Sequence, residues 1–452
     1  MNLASRLYNT AKVAVLARHE RAVPFWSPER IARQQGRRVR AIAAHAYATV
    51  PFYMESMRTL RLTPRDIRSA DDLALLPLID QTVVRADEGR FLSSSVAASQ
   101  RRAMHSAGSH GGHRGETWWD NDALLHKLAY LERDRAVIGR LLGRATGHRQ
   151  LYILPNGAQS FVLRDWWTEW TVTPKRLATR IVEPAESSYE RILDRLRAER
   201  ADVVYSYGSF AEHFAQWLAA RGERIDTPRV WCYGGDAMSV PARALLERQT
   251  GALAYSTYQS TEMGRLGFEC ERRSGFHLNV DLCAVRLVDA NGRTVPAGSD
   301  GEVVVSNLHN RATVLLNFRL GDLAVMASAP CECGRTLPVL RELLGRHTEI
   351  VHLADGRAIS GLVLQATCLD ALTGALSVQL VAGSVGCVTM RIVLAAGAEL
   401  GAIERRVRAV IDERFGDQLT ISLEPVSSLP AGAGGKFARV VRADAREPAR
   451  AR

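Results

Sequence analysis

Lysine is scarce in this chain. Only four of its 59 basic residues are lysines, so arginine carries the formal charge of +11. The arginines are spread along the chain rather than gathered in one stripe. That points away from nucleic acid, and a positive field of this kind suits a small polyanion. Long apolar runs are missing as well. Nowhere do about 18 apolar residues follow one another, so neither a membrane span nor a membrane partner is expected. Met1 to Pro24 has the pattern of an amphipathic helix. It lacks the apolar core and small-residue cleavage site of a signal peptide. Cysteines are few and odd in number, seven in 452 residues. This argues against a disulfide framework and for a reducing, cytoplasmic setting. No internal repeat is present, and no low-complexity tract beyond the Ala/Arg-rich end. What remains is an ordinary globular composition, 46% hydrophobic and 24% charged, long enough for two or three domains.

Residues 1–100 read as mostly helical. Ser27 or Pro28 opens a helix over Glu29–Tyr47, Pro51 breaks it, and Asp71 and Asp72 mark another helix start. Trp118-Trp119 and the amphipathic stretch Asp122–Leu142 read as a packed helix. From Leu151 to Gly251 strand-like segments (Leu151–Leu154, Asp202–Tyr207, Arg229–Tyr233) alternate with helical ones (Tyr189–Arg200, Ala211–Arg221, Pro241–Thr250). Such alternation predicts an α/β fold with a mostly parallel sheet, whose ligands sit at the carboxyl ends of strands. Residues 280–326 change to short β-rich runs separated by Asn291-Gly292 and Gly298–Gly301, as in a small antiparallel barrel or sheet. From Gly345 the pattern predicts a small α+β domain. Its helices cover Leu362–Leu372 and Leu400–Phe415, and its strands lie near Leu376–Val381, Val388–Val393 and Leu419–Pro425.

Three stretches carry chemistry. Ala254–Gly264 packs an aromatic ring, hydroxyls, a carboxylate and a closing glycine together. A ring face stacks on a base, Thr and backbone N–H groups bond phosphate, and a carboxylate holds Mg²⁺. The same stretch also reads as a core strand running into a turn. His105–Gly115 is dense in Ser, Gly and His. Its backbone amides can face an anion, though it lacks Walker spacing; a surface linker is the other reading. Cys270-x6-His277 with Cys331-x-Cys333 offers three thiolates and an imidazole, a closed tetrahedral set for structural Zn²⁺. Unrelated buried cysteines and a surface histidine are the other reading.

In this order the segments resemble the adenylate-forming superfamily of acyl- and aryl-CoA synthetases, nearest the phenylacetate–coenzyme A ligase branch, from Pro51 to the end. The resemblance implies a large N-terminal α/β domain over residues 1–345, with parallel sheets and a small β-barrel-like subdomain. A small mobile C-terminal α+β domain then spans 346–452. It implies a phosphate loop at Ser106–Arg114, including Ser106, Gly108, Ser109 and Gly111, with Gly112 where a basic residue is usual. Gly234-Gly235-Asp236 matches the adenine-contacting segment, with Asp in place of Glu. Tyr258, Thr261 and Glu262 match the Tyr-Gly-x-Thr/Ser-Glu motif, with Gln259 in place of Gly. By resemblance Tyr258 stacks on adenine, Thr261 meets the α-phosphate and Glu262 holds Mg²⁺. Asp322 matches the ribose-binding aspartate, Gly345-Arg346 a ribose and hinge element, and Lys436 the late catalytic lysine. Cys-x-Cys-Gly-Arg-Thr recurs in this branch.

The implied reaction joins a carboxylic acid, aryl or arylacetic, to AMP from ATP with release of pyrophosphate. The acyl group then passes to coenzyme A. An amine or carrier protein is the alternative acceptor, since His347-Thr348-Glu349 stands where acidic residues are usual. A non-catalytic homologue is the third reading. A homodimer is compatible with all three.

Overall fold

The computed structural model describes residues 2–105, 116–155, 170–172, 178–429 and 437–443. The chain forms two compact units. The first comprises Met1–His148, Gly157–Thr179 and Tyr255–Leu343; the second comprises Arg149–Asn156, Arg180–Ala254 and Leu344–Arg452.

The first unit opens with helices α1 (Leu3–Ala22), α2 (Pro28–Thr49), α3 (Pro51–Thr59) and α4 (Gln81–Ala86). Ser27 caps α2, its side chain accepting from Arg30 N–H, and Pro28 takes the first turn, where its missing donor costs nothing. Ile31, Val39, Ile42, Ala43 and Ala46 form its buried stripe. Pro51 ends α2 as expected, but it also begins α3, because the same property that stops one helix suits the first position of the next. Trp118 and Trp119 were expected in a helix. They lie instead in strand β2 (Glu116–Asp120), which pairs antiparallel with β1 (Arg101–His105). Asp120 then caps α5 (Asn121–Tyr130), and α6 (Glu132–Leu142) follows.

The remaining strands of this unit are β7 (Leu253–Ser260), β8 (Gly264–Glu269), β9 (Phe276–Leu278), β10 (Cys283–Val288), β11 (Asp300–Asn307), β12 (Phe318–Met326) and β13 (Val339–Arg346). They run side by side in the order β10-β11-β12-β13-β9-β8-β7. The expected barrel-like subdomain is therefore an antiparallel sheet, with no closed barrel among the described residues. Its core includes Leu278, Val303, Val305, Phe318 and Leu340, packed against Val39, Tyr53 and Phe91 from the helical segment.

The second unit holds β3 (His148–Leu154), β4 (Ala178–Pro184), β5 (Val203–Ser206) and β6 (Val230–Gly234) in the order β6-β5-β3-β4. Strand β5 runs parallel to both β3 and β6. Every residue of β6 is buried, which is why Val-Trp-Cys-Tyr reads as a continuous apolar run rather than an alternation. Helices α7 (Tyr189–Glu199), α8 (Gly208–Ala220) and α9 (Val240–Thr250) alternate with these strands. The α+β region follows: a two-stranded sheet of β14 (Ile350–His352) and β15 (Ala358–Ser360), then α10 (Gly361–Cys368). Strands β16 (Ala375–Ala382), β17 (Cys387–Leu394), β18 (Thr420–Pro425) and β19 (Val440–Arg442) make a sheet ordered β18-β17-β16-β19. Helix α11 (Leu400–Phe415) buries Ile403, Val407 and Ile411 in the core of this region.

Candidate functional site

Residues Thr261, Glu262 and Met263 form the turn between antiparallel β7 and β8. Three side chains fix its backbone, two of them remote in sequence. Trp119 Nε1 donates to Thr261 O at 3.1 Å, and Asn307 Nδ2 donates to Glu262 O at 3.1 Å. Met263 N–H donates to Ser260 Oγ at 3.1 Å. Gly264 closes the turn at φ +73°, and a Cβ there would stand 2.5 Å from Tyr130 Oη and 3.1 Å from Trp119 Cη2. With the backbone tied down, Thr261 and Glu262 are half-buried, while Met263 is buried in the core. Neither Thr261 Oγ1 nor the Glu262 carboxylate bonds any described residue. A carboxylate with no bond to a described residue, on a turn held in this way, suits a hard divalent cation.

Tyr258 lies three residues upstream of Thr261, and its ring is 6% exposed. Its hydroxyl donates to Asp322 Oδ2 at 2.8 Å. Strands β7 and β12 are four steps apart in the sheet order, which a flat sheet would spread over about 19 Å. The hydrogen bond therefore requires the sheet to curl, bringing Tyr258 and Asp322 together across 64 positions of sequence. Gln259 is exposed beside them.

In the second unit Gly235 follows β6 at φ +87°, and Asp236 comes next. The Asp236 carboxylate accepts from Gly208 N–H, from Ser209 N–H at 3.2 Å and from Ser209 Oγ. It thus satisfies the free amides at the start of α8, whose own N-cap, Tyr207, provides no side-chain cap. Gly208 is required at this approach, since its Cβ would lie 2.9 Å from Asp236 O. Arg346 ends β13. Ser106, Gly108, Ser109 and Gly111 of the expected phosphate loop, and Lys436, lie outside the described residues.

Cys270, His277, Cys331 and Cys333 converge, with their ligand atoms all within 4.8 Å of one another. Cys270 Sγ and Cys331 Sγ are 3.7 Å apart, and Cys333 Sγ and His277 Nε2 are 3.3 Å apart. A tetrahedron with Zn–S of about 2.3 Å has S···S edges of about 3.8 Å, so the donor set fits zinc in both chemistry and spacing. Burial, the main cause in each case, pushes the Cys270 thiol up to about 12 and the His277 imidazole down to about 4. A neutral imidazole is the form that binds a metal, and a bound dication deprotonates thiols outright. The cluster joins the end of β8 and strand β9 to the loop after β12.

The sequence did not single out Trp119, Tyr130 or Asn307 as supports for the 261–264 turn. The aromatic pair Trp118-Trp119 was visible. Nothing in its spacing told which of the two rings faces the turn.

The chain is similar to phenylacetate–coenzyme A ligase of Thermus thermophilus, 24% identical over 449 residues, covering 91% of this chain and 96% of the relative. It is also similar to phenylacetate–coenzyme A ligase of Pseudomonas putida, 22% identical over 326 residues and 70% of each chain. Among solved structures it is similar to 2-hydroxyisobutyryl-CoA ligase in the postadenylation state with an acyl-AMP bound. There the TM-score is 0.74 at 18% identity, covering 92% of this chain and 90% of that one. No protein-family profile matches the chain. These likenesses give the chain the fold of 2-hydroxyisobutyryl-CoA ligase and a sequence similar to that of phenylacetate–coenzyme A ligases along most of its length.

Proposed function

We propose that this protein is an AMP-forming acid–CoA ligase acting on an aryl or arylacetic acid. A carboxylate oxygen of the acid attacks the α-phosphorus of ATP, the bond to the β-phosphate bridging oxygen breaks, and pyrophosphate leaves. The coenzyme A sulfur then attacks the acyl carbon, AMP leaves, and the thiol proton is released. The pairing of Tyr258 with Asp322 beside the open Thr261–Glu262 turn carries this reading. A nucleoside needs a ring to stack on and an acceptor for its ribose hydroxyls, and the triphosphate needs donors and a cation close by.

In this reading Tyr258 and Gly234-Gly235-Asp236 hold the adenine side, and Asp322 and Arg346 take the ribose. Thr261 and the Ser106–Arg114 loop bind phosphate. Glu262 would hold Mg²⁺, which lowers the charge the acid must approach. Lys436 stabilises charge building on the oxygens around the α-phosphorus. Residues 1–345 form the large domain and 346–452 the small one. Cys270, His277, Cys331 and Cys333 would hold Zn²⁺ with no open position, a structural role. The reaction takes place in the cytoplasm; no described helix is long and apolar enough to cross a membrane.

An amine acceptor is the second reading. The amide bond synthetase McbA from Marinactinospora thermotolerans is similar at a TM-score of 0.51 over 75% of this chain. One experiment separates the two. Pyrophosphate release is screened over aryl, arylalkyl and fatty acids, then products are weighed with coenzyme A or with amines present. Acid-dependent pyrophosphate and a CoA thioester are expected. Amide without thioester moves the acceptor to an amine, and no pyrophosphate with any acid refutes the ligase reading.

A further inference from the structure

Within the second unit the short segment Phe437–Arg439 is fastened to helix α8 and to the loop after β6. Phe437 N–H donates to Ser209 Oγ at 3.4 Å. Its ring meets His213 edge-on, with centroids 4.5 Å apart. Arg439 Nη2 donates to Glu212 Oε2 at 3.1 Å and to Ala237 O at 3.0 Å, while Nη1 donates to Gln365 Oε1. The two charged side chains are only 9% and 5% exposed.

The arrangement is specific as well as tight. Ser209 Oγ, which accepts from Phe437, itself donates to Asp236. Ala237, which accepts from Arg439, is the residue after Asp236. Both ends of the segment are therefore tied to the Gly234–Asp236 loop and its neighbour. A buried ion pair is a poor device for stability alone, because desolvation consumes most of its Coulomb gain. What a forked guanidinium adds is geometry: its separate nitrogens reach a carboxylate, a carbonyl and an amide oxygen at once, whereas an apolar side chain reaches none and a lysine offers its donors from a single point. The residue covalently joined to Phe437 on its other side is Lys436.

We infer that Arg439 is a positioning residue for the adenylation step. Through Glu212 and Ala237, and with the Ser209–Phe437 bond, it fixes the chain next to Lys436 against the Gly234–Asp236 loop. This rests on the reading of Lys436 given above. A lysine that acts on the phosphate must be placed to within a fraction of an ångström, and a misplacement of about 1 Å costs on the order of 100-fold. Attack of coenzyme A on a finished adenylate does not involve that charge.

The test uses the full chain and two half-reactions. Phenylacetate-dependent exchange of pyrophosphate with ATP reads adenylation. Thioester formation from supplied phenylacetyl-adenylate and coenzyme A reads the second step. Arg439→Met and the near-isosteric Glu212→Gln are compared with wild type, and Arg439→Lys serves as the conservative variant. Exchange is expected to fall on the order of 10- to 100-fold in Arg439→Met. The fall is smaller in Glu212→Gln and Arg439→Lys, and the second half-reaction is unchanged in all three. If Arg439→Met does not fold, the split between half-reactions in Glu212→Gln decides. A parallel fall of both half-reactions, or full exchange in the variants, overturns the inference. If the variants exchange normally while Lys436→Ala does not, only the positioning role of Arg439 is lost. If wild type shows no exchange with any acid, the ligase reading fails with it.

Discussion

Replacing Gly264 with alanine tests the architecture of the turn at one atom. The residue sits at φ +73°, where an L-residue with a Cβ loses roughly 1–2 kcal/mol. The new methyl would stand 2.5 Å from Tyr130 Oη and 3.1 Å from Trp119 Cη2. Both rings are buried, Tyr130 at 1% and Trp119 at 0% exposed, so neither can swing away. Forcing a methyl into such packing costs about 1–3 kcal/mol. The sum predicts about 2–5 kcal/mol of lost stability, read as a lower urea midpoint. Tyr130→Phe separates the two parts. It deletes the oxygen that collides, while among the described residues that oxygen accepts a single long bond, 3.5 Å, from Arg265 N–H. The double variant should therefore recover part of the packing loss and none of the backbone cost, giving a coupling of at least about 0.5 kcal/mol. Exchange activity should fall further than stability does, because Trp119 also holds Thr261 O. Gly264→Ala within about 0.5 kcal/mol of wild type, or no coupling to Tyr130→Phe, would refute the argument that these rings define the turn.

Purified protein should carry about one zinc per chain by elemental analysis. Cys270→Ser should lose it and unfold at lower temperature; metal-free protein as stable as wild type would count against the site. Tyr258→Phe deletes the donor to Asp322 Oδ2 and should raise the KM for ATP about fivefold, from a net hydrogen-bond worth of about 1 kcal/mol, with the KM for the acid unmoved. Asp281 is buried, which alone would raise its pKa, but Arg133 beside it brings the carboxyl down to about 2. Its folded value lies below the unfolded one, so its contribution is present above the ordinary carboxylate value of 3.8 and is lost as pH falls toward 2. Asp281→Asn removes one of the two carboxylates that face Arg133, Glu20 remaining, and also the carboxylate that faces Arg38, and should cost about 1–3 kcal/mol at neutral pH. Denaturation midpoints of variant and wild type should converge between pH 4 and 2, and parallel curves would contradict the pairing.

Candidates for the site could be named along the chain before any geometry was known. Asp322, closing Phe318-Arg319-Leu320-Gly321-Asp322, and Tyr258, Thr261 and Glu262 were picked out by their resemblance to a family's motifs. Their mutual distance could not be read, because it depends on how far a sheet of short antiparallel strands curls. That curl is set by pairings such as His277 with Val339, which join strands distant in sequence. The cysteine and histidine set was likewise visible as residue types. Its spacing across β8, β9 and the loop after β12 matches no finger, so only the fold shows that the four donors meet.

The strongest local signals held. The β6 run of apolar residues is a buried parallel strand, and Ser27-Pro28 starts a helix, because capping and burial on both faces are decided within a few residues. Trp118-Trp119 went the other way. Aromatics suit both strand and helix, and pairing with β1 made the choice. Asp236 shows the same limit in chemistry. Its sequence neighbours mark it as a ligand-facing acid, yet the nearest unpaired donors it meets are the first amides of α8, 27 and 28 residues earlier. Residue type and order along the chain thus determined the inventory of groups. Long-range packing, which alone sets distance and desolvation, decided which of them meet and which are already spoken for.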